Sequence, residues 1–167
     1  SESENRTSNL PGKWVPTAWD NRHIFTLTST RSFNKGWDFG YKWRFVGGAP
    51  YTPWDLETSS IIDAWDSQGR GFLDFSRFNT KRLGAFHQLD VRLDKMFYLD
   101  RWTLNFYIDV QNLYGFKSDQ PDNIIVRVDE NGNRVIDPNN PNRYLLDVIP
   151  GLSGGTILPT VGIIIEF

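Results

Sequence analysis

The sequence contains no cysteine, which excludes both a disulfide framework and a thiolate-held metal site. It also lacks a surplus of either charge: 18 lysines and arginines stand against 20 aspartates and glutamates, for a net charge of −2. A nucleic-acid partner is not expected, because phosphate binding needs a basic excess. Only two histidines occur, His23 and His87, and there is neither a nucleophile elbow nor a zinc-type histidine pair. No catalytic residue, metal site or cofactor is therefore expected, and the chain does not read as an enzyme. No apolar run approaches the roughly 20 residues of a spanning helix, and helical periodicity is convincing nowhere. The opening Ser1-Glu2-Ser3-Glu4-Asn5 is polar and acidic, without the apolar stretch of a signal peptide.

What the sequence does contain is an unusual combination. Across 167 residues, aromatics reach 15% with seven tryptophans, yet mean hydropathy is only −0.46. A chain whose strands show rings on one face and polar groups on the other reconciles the two, and a transmembrane β-barrel is such a chain. Period-two alternation is strong. From Trp37 to Phe45 every odd position is aromatic and the even positions are Asp38, Gly40, Lys42 and Arg44. Trp102 to Gln111 repeats the pattern on even positions. Leu89, Val91 and Leu93 oppose Gln88, Asp90, Arg92 and Asp94, with Lys95 and Phe97 continuing the apolar face. Val161, Ile163, Ile165 and Phe167 share one face, and Phe25 and Leu27 mark a weaker strand. Five strands are predicted, near 22–31, 37–46, 87–97, 102–112 and 158–167. Lys95 should snorkel to an interface.

The connections alternate in length. Ser32 to Gly36 and Tyr98 to Arg101 are tight turns, whereas residues 47–86 and 113–157 form long loops. In an up-and-down barrel this rhythm means tight periplasmic turns and long external loops. The C-terminus would then be periplasmic, and residues 1–21 would belong to an external loop. Five strands leave two open edges, which hydrocarbon does not tolerate, so the remaining strands are expected as a separate chain.

Two local motifs read as something simpler than they resemble. Asp129, Asn131 and Asn133 imitate half of a calcium loop, but Arg134 stands where the turn glycine belongs. A hairpin joining 124–128 to 134–136, with Asn131-Gly132 at its tip, is the better reading, and Pro138 to Asn142 reads as coil. Asn5-Arg6-Thr7 matches a glycosylation acceptor by chance. The aromatic side chains divide into two groups. Trp37, Trp43, Phe97, Trp102 and Phe167 are expected to face lipid as an interfacial girdle. Tyr51, Trp54, Trp65 and Phe72, in the long loop, are candidates for stacking on a substrate, with loop packing as the alternative.

Several stretches together resemble the closing strands of TonB-dependent outer-membrane receptors, in the style of the Bacteroidetes. They are Asp20-Asn21-Arg22-His23, Gly47-Gly48-Ala49-Pro50-Tyr51-Thr52, and Leu89 to Lys95. Tyr107 to Leu113 is similar to that family's penultimate strand, and Leu158 to Phe167 to its last. The resemblance implies a membrane barrel of about 22 strands around a plug, of which this chain supplies about five antiparallel strands. It further implies energised uptake of a nutrient such as a ferric chelate, a glycan or a peptide. The implied partners are the rest of the receptor, the TonB energy-coupling system acting through the plug, outer-membrane lipid and a surface lipoprotein. The alternatives are a passive porin or small barrel and a soluble β-sandwich binding module.

Overall fold

A computed structural model describes residues 4–6 (backbone only), 12–151 and 154–167. Thr7 of the acceptor pattern, and Ser1 to Ser3, lie outside the described residues. The fold is all-β with two short helices. In chain order the first strands are β1 (Glu4–Arg6), β2 (Trp14–Pro16), β3 (Ile24–Phe33), β4 (Trp37–Val46), β5 (Pro50–Tyr51) and β6 (Trp54–Asp55). Helices α1 (Leu56–Ser60) and α2 (Ile62–Gln68) follow, then β7 (Phe72–Leu73), a 3-10 turn over Phe75–Arg77, and β8 (Lys81–Arg82). Next come β9 (Phe86–Tyr98), β10 (Thr103–Gln111), β11 (Asn123–Val126) and β12 (Ile136–Asp137). The last are β13 (Asn140–Tyr144), β14 (Leu146–Ile149) and β15 (Leu158–Glu166).

The chain divides into two compact units. The sheet unit comprises residues 22–47, 84–118 and 153–167. Its five strands are antiparallel in the order β15-β10-β9-β4-β3, an open sheet with β3 and β15 at its edges. Strand-forming residues alternate along each member, and the register keeps their parity in step. Phe39 stands opposite Leu93, Leu93 opposite Ile108, and Ile108 opposite Val161. On the other side of the sheet Asp38 stands opposite Asp94, and Lys42 opposite Asp90.

The β3–β4 turn is tight because Lys35 (φ 64°) and Gly36 (φ 74°) both take left-handed conformations. A Cβ on Gly36 would also come within 2.5 Å of the Met96 carbonyl oxygen. The first strand runs 24–33 rather than 22–31, and Trp102 lies in the β9–β10 turn, where its carbonyl accepts from Leu99 N. No residue of these five strands is fully buried.

The second unit is built from residues 1–21, 48–83 and 119–152, and here the long segments prove to be structured. The two helices escape periodicity analysis because they are only five and seven residues long. Asp55 caps α1 by accepting from Thr58 N at 2.9 Å, and Gly69 (φ 68°) closes α2. Of the expected 124–128/134–136 hairpin the turn end is present, a Val128–Arg134 bridge flanked by Asp129 N donating to the Asn133 carbonyl and Val135 N to the Arg127 carbonyl, each at 2.9 Å. Strand β11 pairs instead with β14, and β12 with β13, so residues 140–142 are strand rather than coil. Residues 4–6 and 14–16 also pair rather than forming a plain loop.

Trp65, Ile124 and Val126 form a small core against Trp54, Tyr144 and Leu146. Polar pins carry the remainder. Arg82 donates to the carbonyls of Asp20 (2.6 Å) and Gly48 (3.0 Å) and pairs with the buried Asp20 carboxylate. Asn79 is buried and donates to the Pro16 carbonyl at 2.7 Å. Losing the cation would remove the ion pair from an Asp20 carboxylate that is only 5% exposed. Arg82→Gln should therefore destabilise this unit by about 3–5 kcal/mol, measured by chemical denaturation. Lys81→Gln, one residue away, should change stability far less.

Candidate functional site

The apolar face of the sheet keeps one parity from strand to strand. On β4 it carries Trp37, Phe39, Tyr41, Trp43 and Phe45, and on β9 His87, Leu89, Val91, Leu93, Lys95 and Phe97. Strand β10 adds Leu104, Phe106, Ile108 and Val110, and β15 adds Val161, Ile163 and Ile165. Many of these side chains are exposed, from Phe39 at 37% to Val161 at 75%. Monomeric soluble proteins rarely show one contiguous apolar patch beyond about 300–600 Å².

Rings gather at both ends of this face. Near the tight turns, Lys95 places its ammonium 4.8 Å from the Phe97 ring centroid and 5.4 Å from that of Trp37, and donates to the Lys35 carbonyl. At the other end Trp43 packs between Phe25 (5.8 Å) and Phe45 (6.2 Å). His87 there meets Phe116 at 4.0 Å, and its Nδ1 lies 2.7 Å from the Tyr114 hydroxyl. Tyr114 and Phe116 were not legible as part of this cluster, because they follow β10 in an irregular segment that carries no periodicity. Phe167 lies beyond the end of β15 and is fully exposed.

The opposite face is a hydrogen-bonded polar network. Arg92 makes a bidentate pair with Asp94, both bonds at 2.8 Å, and its guanidinium lies 4.1 Å from the Tyr107 ring centroid. Asn105 donates to Asp94 at 3.0 Å, and Asp90 accepts from Gln88 at 2.6 Å and from Asn112 N at 3.0 Å. Arg44 lies 3.4 Å from Asp90. Its Nε, together with Asn105 Oδ1, is buried without a partner among the described residues. Tyr107 lies over Gly162, the residue opposite it on β15, covering the one position there without a side chain.

In the other unit, Tyr51 and Trp54 line two cavities. One, of about 250 Å³, includes Arg77, Lys81 and Asp122, and the other, of about 440 Å³, includes Leu73, Phe78 and Asn79. Trp54 is fixed by its Nε1 donation to the Asp122 carbonyl at 2.7 Å. Rings beside two cations suit a planar or anionic small ligand. Arg77 is oriented by Asp74 at 2.5 Å. Donation by Ser76, and then by Arg77, holds the Asp74 carboxyl below its ordinary range.

Trp65 leaves the set of stacking candidates: at 6% exposure it is the centre of the core. Phe72 lines neither cavity, since its backbone is tied to Ser59 Oγ (2.8 Å) and pairs with Asp55. The cations Arg77 and Lys81 carried no sequence signal, because isolated surface cations look alike.

Asp129 is a turn residue. Its carboxylate accepts from Asn133 N (2.8 Å), Asn131 N (2.9 Å) and Asn133 Nδ2 (3.3 Å), which lowers its pKa, the Asn133 backbone bond being the largest cause. A depressed folded pKa gives a contribution that is present above the ordinary value of 3.8 and lost as pH falls through the folded value. Relative to their intrinsic rates, the amides of Asn131 and Asn133 should therefore lose protection against exchange as pH falls below that ordinary value, and should already lack it in Asp129→Ala.

Gly162→Ala should cost about 1–3 kcal/mol, because the new Cβ meets the Tyr107 ring. Adding Tyr107→Ala should remove most of that penalty, as a double-mutant cycle by denaturation will show.

Comparison with protein-family models, curated proteins and solved structures finds no match.

Proposed function

We propose that the five-stranded sheet is part of the wall of an outer-membrane β-barrel of the TonB-dependent receptor type, serving energised uptake of a scarce nutrient. The carrying observation is the apolar face held in register across five strands, with a charged, hydrogen-bonded face behind it. Covering each such side chain is worth roughly 1.5–3 kcal/mol. Over the whole face that reaches tens of kcal/mol, larger than the 5–15 kcal/mol by which domains are typically stable. Hydrocarbon supplies that cover, and every strand, at 9 to 13 residues, has the length for a tilted crossing, about 9–11 residues.

Three further features support the reading. Rings cluster at both ends of the apolar face, where headgroups would lie. On the polar face Arg44 Nε and Asn105 Oδ1 are buried without a hydrogen-bond partner among the described residues, suited to a wet lumen or a plug. Connections alternate short and long, as in barrels with periplasmic turns and external loops. The edges β3 and β15 then pair with further barrel strands, whether in the same polypeptide or another. A plug would couple the barrel to the energy system, and a surface lipoprotein and the Tyr51–Trp54 cavities would serve ligand capture.

Arginine at Phe39, Tyr41 or Ile108, which lie on the mid-strand side of the Lys95 row, should cost about 2–4 kcal/mol in lipid vesicles, and at Gly40 far less. The chain has no cysteine, so nitroxides can be placed singly along 37–45. Oxygen accessibility from the bilayer should peak at odd positions. Equal arginine penalties on both faces, or accessibility without alternation, would sink the membrane assignment.

A further inference from the structure

Charge on the apolar face is sorted by sign. Among the five strands every carboxylate (Asp38, Asp90, Asp94, Asp109 and Glu166) has the parity of the polar face. The two charged residues of apolar parity are both cations, Arg31 and Lys95, and both lie toward the tight-turn end. Lys95 also lines a groove of about 530 Å³ on this face, within the roughly 300–1,000 Å³ of typical small-ligand sites. The register explains its shape. One wall is the cross-strand row Trp37–Lys95–Phe106–Ile163, and the other is the adjacent row Leu93–Ile108–Val161. Apart from the ammonium, the lining side chains of apolar parity are hydrocarbon or indole.

We infer that this groove is a binding site for one anionic phospholipid of the leaflet that meets the tight turns. An acyl chain lies between the two rows, and the phosphate sits on the Lys95 ammonium. The inference rests on the membrane reading above. Two features select the occupant. The cation stands at the turn-side end of an otherwise apolar groove, as a lipid with a charged head and an apolar tail requires. The ammonium is also positioned, because it donates to the Lys35 carbonyl and is flanked by the Trp37 and Phe97 rings. A lysine ammonium has three donors, so two remain for phosphate oxygens. Arg31, whose guanidinium lies 5.3 Å from the Phe33 ring centroid, adds positive potential on the same face. In the β9–β10 turn Asp100 is accompanied by Arg101, which leaves the cationic bias in place.

The test uses the intact protein that carries this chain, in neutral detergent, with phosphatidylglycerol and phosphatidylcholine of identical acyl chains followed by native mass spectrometry. Phosphatidylglycerol should be retained about fivefold more tightly, the effect of one basic residue at a membrane surface. Lys95→Gln should abolish the preference and Lys95→Arg keep it. Val161→Trp, which fills the groove, should weaken retention of both lipids. Inorganic phosphate should not displace the bound lipid. Equal retention of the two lipids by the unaltered protein, a preference that survives Lys95→Gln, or displacement by phosphate alone would each overturn the site. The nitroxide measurement separates the two readings: bilayer exposure of odd positions without headgroup preference defeats only the lipid site, whereas no bilayer exposure defeats both.

Discussion

Everything in the sheet unit depends on one geometric constraint, the shared register of five antiparallel strands. A strand turns successive side chains to opposite faces, so a slip of one residue at any pairing would move that strand's rings among the charges of its neighbour. The observed registers align Trp37 with Lys95, Phe106 and Ile163, and Asp38 with Asp94 and Tyr107. One face is thereby mainly hydrocarbon and aromatic surface, with Lys95 and Arg31 its two charges, and on the other Asp94 accepts from Arg92 and Asn105 while Arg92 lies over Tyr107. The two faces make opposite demands on their surroundings. The apolar one is stabilised by whatever excludes water from it, and the polar one by water or by a partner with hydrogen-bonding groups.

The unit formed by the long segments works differently. Its apolar core is small, centred on Trp65, Ile124 and Val126, and side-chain bonds to backbone position much of the chain. Arg82 ties Asp20 to Gly48, Asn79 holds Pro16, and Ser59, with no exposed surface, accepts from Phe72 N. Such bonds fix irregular backbone without a large core, because each satisfies a carbonyl or amide that no ladder would serve. Tyr51 and Trp54 thereby line their cavities from a braced support.

The stretch Leu89 to Lys95 alternates hydrocarbon with Asp90, Arg92 and Asp94, and each of those charged residues has a defined partner on the polar face. Asp20 stands at a buried ion pair, and Gly162 is required by the aromatic ring laid over it. These positions are constrained by packing and pairing within the chain, and such constraint by itself names no substrate.

The alternation along 37–45, 89–97 and 104–110 by itself determined which residues are strands, which faces they share and where the tight turns fall. Period two is a local property of the chain, readable from a few consecutive residues. The fate of the long segments was decided only by tertiary structure. Trp65 and Tyr51 look equivalent as loop aromatics, yet one is core and the other lines cavities, because their neighbours come from residues 121–126 and 77–81, far along the chain. Likewise β11 takes β14 as its partner in place of the nearby 134–136, since a pairing across some twenty residues lets Ile124 and Val126 reach Trp65. Local pattern cannot select among such distant partners, because the burial that stabilises them exists only once the chain has folded.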